Sequence, residues 1–117
     1  MRQRSANRRA KARQASKLAE IREALIAAGC DTTTKQASVL GVGRSTAWAL
    51  LNLDKRAGPT AIVIKRILSS PNLPPVARRK VEEYVEEKIG GLYGHSERRT
   101  QLFRDKLRNR TVNNHTT

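Results

Sequence analysis

Arg44, Ser45, Thr46, Trp48, Ala49 and Asn52 gather, within one short stretch, the side chains best suited to recognition. A guanidinium offers a planar fork of donors, the two hydroxyls and the carboxamide both donate and accept, and an indole or a methyl group supplies apolar contact. If the stretch is helical, with about 100° between residues, and Ala47, Leu50 and Leu51 face inward, then Ser45, Ala49 and Asn52 face away. Thr46 and Trp48 then lie on the flanks and Arg44 projects from the first turn. This is hydrogen-bonding chemistry without a covalent step. Residues that could break or form bonds are missing: GVGRST lacks the lysine and spacing of a phosphate-binding loop, and no Ser/His/Asp arrangement rises above chance. Cys30 is the single cysteine, which excludes an internal disulfide, and with only His95 and His115 beside it a zinc site is not expected. No catalytic residue, cofactor or metal is expected, and the chain is too short for a small-molecule effector pocket.

The residues around this stretch must hold it out. A Thr33-x-x-Gln36 capping box opens a short helix with Ala37 and Leu40 on its inner face, and Gly41 breaks it. After the turn Gly41-Val42-Gly43 a second helix begins at Arg44. Two short helices packed steeply need a small residue at the crossing, a glycine at the reversal and an apolar plug, which Ala37, Gly41 and Val42 supply. The whole stretch, TTKQASVLGVGRSTAWALLN, resembles the helix-turn-helix of bacterial and phage transcriptional regulators, lambda-repressor-like or related. LGVGRSTAW is similar to the LGVSRST-type segment common among them. Gln36 stands where the family places an apolar or small residue, and Gly43 replaces the serine that caps the second helix, a position glycine accepts.

The resemblance implies that helix 44–52 enters the major groove with its first turn towards the base edges. Arg44 would then reach guanine O6 and N7, Ser45 and Thr46 a base or a phosphate, and Asn52 a phosphate or an adenine. Ala49 faces the same way. Trp48 has two readings, a core-edge residue or a contact to sugar or a thymine methyl. In the family's docking mode Lys35 and Gln36 would lie near the phosphate backbone, and Lys55 and Arg56, in the loop after the second helix, would touch it as well.

Charge agrees with a polyanionic partner. The 117-residue chain carries a formal net charge of +14, and a protein so charged repels itself unless a polyanion, most commonly nucleic acid, neutralises it. Aromatics make up only 3% of residues, which argues against a single-strand binder built on rows of stacking rings. The first residues are too rich in arginine, and too poor in apolar side chains, for a secretory signal; no apolar run of about 18 residues could span a membrane. Together with one cysteine, this predicts a cytoplasmic, nucleoid-associated protein of bacterial type.

Residues 1–15 hold Arg2, Arg4, Arg8, Arg9, Lys11 and Arg13 with no acid and read as a basic flexible arm. It is either a solubilising tail or an arm lying along phosphates. From Ser16 a helix is expected, with Leu18, Ile21, Leu25 and Ala28 as its stripe and Gly29 as its stop. Cys30 reads as a buried bystander. Gly58-Pro59 punctuates the loop after the motif; Pro59 then starts a helix through Leu68, facing Ile64, Ile67 and Leu68 inward. Three prolines in SSPNLPP force a linker. Val76–Ile89 follows as a helix with Val81, Tyr84, Val85 and Ile89 buried, and with Arg78, Arg79 and Lys80 free either to pair with the glutamates a turn later or to meet phosphate. LYGHS follows with Tyr93 and His95, and the lone His95 reads as incidental rather than catalytic. A basic C-terminal helix over 90–110 carries Leu102, Phe103 and Leu107, a stripe that could pack on the core, pair with a second protomer or flank phosphates. Residues 111–117 read as a disordered tail.

The expectation is therefore an all-α bundle of five to six helices, with a DNA-binding domain over 16–89, its motif at 33–52, and basic flexible ends. The expected function is sequence-specific double-stranded DNA binding in transcription regulation, repressor-like, as a homodimer on an inverted repeat. An accessory factor of the antitoxin, partition or recombination kind would use the same domain. A basic RNA-binding protein would share the composition but leave the motif unexplained, since the major groove of duplex RNA is too narrow for a helix.

Overall fold

The computed structural model describes residues 2–52 and 58–108, with side chains described from residue 7. It is all-helical: α1 (Arg2–Ala27), α2 (Thr33–Leu40), α3 (Arg44–Asn52), α4 (Ala61–Ser69), α5 (Pro75–Ile89) and α6 (Glu97–Arg108). Among the described residues no helix is long and apolar enough to cross a membrane.

α1 differs most from expectation. It starts at Arg2, so the stretch read as a flexible arm is helical. The reason lies in its second half, where the inward stripe is Gln14, Leu18, Ile21 and Leu25, one turn longer than its apolar members. Gln14 is only 2% exposed and accepts a hydrogen bond from Tyr84 Oη of α5 at 2.8 Å. A satisfied amide can occupy a core position that an unpaired one could not. Ala24 is buried, whereas Ala28 is exposed beyond the helix end. Gly29 stops the helix at φ +94°, and the Cys30 N–H reaches back to Leu25 O at 2.8 Å.

α1 and α5 are also joined by charge. Lys17 Nζ lies 3.0 Å from Glu83 and 3.3 Å from Glu20, Lys80 Nζ lies 3.1 Å from Glu20, and Arg13 Nε lies 3.1 Å from Glu87. Glu87 also accepts from Tyr93 Oη at 2.9 Å. Its carboxyl is held below the usual range first by the Arg13 hydrogen bond, with Tyr93 and Lys17 adding to the effect against the cost of burial.

The remaining helices enclose one core. Ala37 and Leu40 of α2, Ala47, Leu50 and Leu51 of α3, Ala61, Ile64 and Ile67 of α4, and Ala77, Val81 and Tyr84 of α5 meet Leu18, Ile21 and Leu25 of α1 there. α4 begins two residues after Pro59, capped by Thr60 Oγ1, which accepts from Val63 N–H at 3.3 Å; Leu68 is only half-buried. Arg78 binds the other end of α4, donating to Leu68 O at 2.8 Å and Ser70 O at 3.0 Å. These carbonyls lack helical partners, so a guanidinium satisfies them while complementing the negative end of the helix. Tyr93, in the LYGHS loop, is fully buried and stacks on Tyr84 with centroids 5.2 Å apart. α6 seats Phe103 in the core and leaves Leu102 half exposed.

Candidate nucleic-acid interface

α2 is eight residues long and is capped one residue earlier than the capping box requires: Thr32 Oγ1 accepts from Lys35 N–H at 3.2 Å. That shift puts Gln36 in the fourth helical position, where a side chain cannot reach back to the cap. Gln36 instead turns inward, is 5% exposed, and donates to Cys30 O at 3.0 Å. The position is thus filled by a buried amide whose donor is used. Gln36 is accordingly not at the surface to meet a phosphate.

Gly41 ends α2 at φ +74°, its N–H bonded to Ala37 O at 2.9 Å, and Val42 N–H reaches the same carbonyl at 3.2 Å. A side chain here would suffer twice. Beyond the left-handed backbone, a Cβ would sit 3.3 Å from Ser70 Cβ at the end of α4. Ser70 Oγ in turn donates to Val39 O at 2.6 Å, tying α2 to α4. The first bond of α3 runs from Ala47 N–H to Gly43 O at 2.9 Å. α3 buries Ala47, Leu50 and Leu51 and so turns the opposite face outward.

On that face Arg44, Ser45, Trp48 and Asn52 are exposed. Trp48 is 48% exposed, so about half of its surface is open to a partner. Asn52 Nδ2 donates to Trp48 O at 3.0 Å, and being exposed it can exchange that bond for another. Arg44 makes no ion pair or side-chain hydrogen bond among the described residues. Thr46 and Ala49 are half-buried. With Ser45 they line a recess whose other wall is Leu18, Gly58, Pro59, Thr60 and Val63.

The expected phosphate contacts divide. Lys35 is exposed in a surface pair with Asp31 at 3.3 Å, which a stronger anion can displace. Arg8 and Arg9 are exposed on α1. Arg13 is not a spare cation, because both arms of its guanidinium engage Glu87, at 3.1 and 3.3 Å. Lys11 Nζ lies 3.3 Å from His95 Nε2. The side chains of Arg2 and Arg4, and all of Lys55 and Arg56, lie outside the described residues, as does the 111–117 tail.

Two buried polar residues, Gln14 and Lys88, escaped sequence reasoning. Gly58 (φ +71°), just before α4, packs so closely that an added Cβ would overlap Tyr84 Oη and fall 2.5 Å from Gln14 Oε1. Lys88 is 5% exposed with its ammonium 4.7 Å from the Phe103 ring centroid, 5.6 Å from that of Tyr84 and 3.3 Å from Tyr84 Oη. Burial, and secondarily the charge of Lys11, pulls its pKa down to about 8. Gln14 falls one turn before Leu18 on the α1 stripe, but neither it nor Lys88 carries an apolar signal that would mark it as buried.

Comparison with protein-family models, curated proteins and solved structures found no match to the chain.

Proposed function

We propose that this protein binds double-stranded DNA sequence-specifically, as a transcriptional regulator, with α3 in the major groove. The observation that carries this reading is the outward face of α3: Arg44, Ser45, Trp48 and Asn52 stand exposed on a helix whose opposite face is locked into the core. The length of that helix, its attachment to α2 through a three-residue turn, and a net charge of +14 all suit a duplex groove lined by phosphates. Arg44 would read guanine, Ser45 and Asn52 a base edge or a phosphate, and Trp48 a sugar or thymine methyl; Thr46 and Ala49 sit at the wall of the recess beside them. One short helix specifies few base pairs, so the reading includes a homodimer on an inverted repeat with half-sites about one turn apart.

The test is selection of duplexes from a random pool, with a parallel titration against structured RNA at physiological salt. Enrichment of one duplex sequence supports the reading, and its symmetry reports the dimer. Equal binding of RNA with no enriched sequence would leave only non-specific charge attraction. Arg44→Ala should lose about 1–3 kcal/mol on the selected site and little on random DNA; an equal loss on both would remove Arg44 from base reading.

A further inference from the structure

The groove between the start of α4 and α6 is lined by Lys88, His95, Arg99 and Lys106, and no acid lines it among the described residues. Its other wall is Gly58, Pro59, Thr60 and Ile62. Gly58, Pro59 and Thr60 also form one wall of the recess beside α3, so the two surfaces adjoin across a single strip of chain. On α6 the charges are sorted by face. Arg99, Leu102, Phe103 and Lys106 share the groove side, whereas Glu97 and Asp105 fall on the far side, where Asp105 accepts from Gln101 at 2.9 Å. Arg99 and Lys106 are exposed and make no ion pair among the described residues, in contrast to Arg13, Lys17 and Lys80 in the α1–α5 seam. The N-terminal half of α1 extends the same surface: Lys11 lies 3.3 Å from His95, and Ala10 packs against Gly94.

We infer that this α4–α6 groove is a second anchor for duplex DNA, in which Arg99 and Lys106 grip the phosphate backbone beside the major groove entered by α3. The inference rests on the DNA-binding reading above and adds to it a contact outside the helix-turn-helix stretch. A cationic wall of Arg99 and Lys106 adjoining the reading face attracts the backbone that must pass it. A second copy of this chain is a poor occupant, because it would bring like charges together at the rim. Phosphate contacts carry no sequence information, so the anchor contributes equally to all duplexes and makes binding more sensitive to salt.

The experiment titrates the full chain against the selected duplex and a random duplex over a range of salt, for the parent, Arg44→Ala and the double variant Arg99→Ala/Lys106→Ala. The log–log salt slope should fall by about 0.9 for each lost contact, about 1.8 in the double variant, on both duplexes alike. The swap Arg99→Lys/Lys106→Arg should restore the slope. Both positions are exposed, and an unchanged melting curve separates lost contacts from lost fold. If the parent binds the selected duplex and Arg44→Ala loses specificity while the double variant keeps the parental slope, the anchor is refuted and the DNA-binding reading stands. If the parent binds no duplex, both fail. If the slope is unchanged and the double variant instead loses binding to poly-glutamate, the groove receives an acidic polypeptide and the anchor is again refuted.

Discussion

Gly58→Ala gives the sharpest test of how this fold is held. Gly58 joins the segment after α3 to α4 and has φ +71°, a region where an L-residue costs roughly 1–2 kcal/mol. The new methyl would also press on the Gln14–Tyr84 hydrogen bond from both sides, within 2.5 Å of Gln14 Oε1 and nearer still to Tyr84 Oη. Neither group can yield without cost. Tyr84 is fully buried and stacked on Tyr93, and Gln14 is 2% exposed. Overpacking of this kind costs typically about 1–3 kcal/mol, so the total should be about 2–5 kcal/mol, a large share of the stability of a small domain. At about 4 °C per kcal/mol for a domain near this size, Tm should fall by roughly 8–20 °C in a circular-dichroism melt. Tyr84→Phe removes the nearest oxygen, so it should cost less in the Gly58→Ala background than in the parent. A Tm within 2 °C of the parent, or strictly additive losses in the double-mutant cycle, would refute this packing of the Gly58 segment on α1 and α5.

The remaining predictions concern the core and its charges. Ala37 is 4% exposed where α2 meets α3, and Ala37→Phe should lower Tm and broaden the transition; a normal melt would place the helix crossing elsewhere. Lys88 titrates near pH 8 when folded and near 10.5 when unfolded. Between those values the unfolded chain binds more protons, so stability should rise with pH by about 1–3 kcal/mol from pH 8 to 10 in urea titrations. Lys88→Met should abolish that rise, and a rise that persists in the variant would assign it to other groups. Arg44→Ala and the Arg99/Lys106 pair, with their salt slopes, should separate base reading from backbone anchoring in the same set of titrations.

The order and type of the helices were legible because apolar spacing, glycines and prolines act locally. Leu18, Ile21 and Leu25 mark α1, Gly29 and Gly41 stop their helices at positive φ, and Ala47, Leu50 and Leu51 fix which face of α3 is left outside. The outward placement of Arg44, Ser45 and Asn52 follows from that periodicity alone. Long-range pairing is another matter. Nothing near Gln14 indicates that a tyrosine seventy residues away will take its amide oxygen, and so nothing indicates that the arm will be helix. Arg13 reads as a spare cation until Glu87 is brought beside it, and Gln36 as a surface donor until a one-residue shift of the cap turns it inward to Cys30 O. Polar side chains carry no periodic signature of burial, because their place depends on partners that only the packed chain supplies. Sequence thus determined which helices form and which face of α3 is free; tertiary packing decided which cations are spent on carboxylates and which remain at the surface.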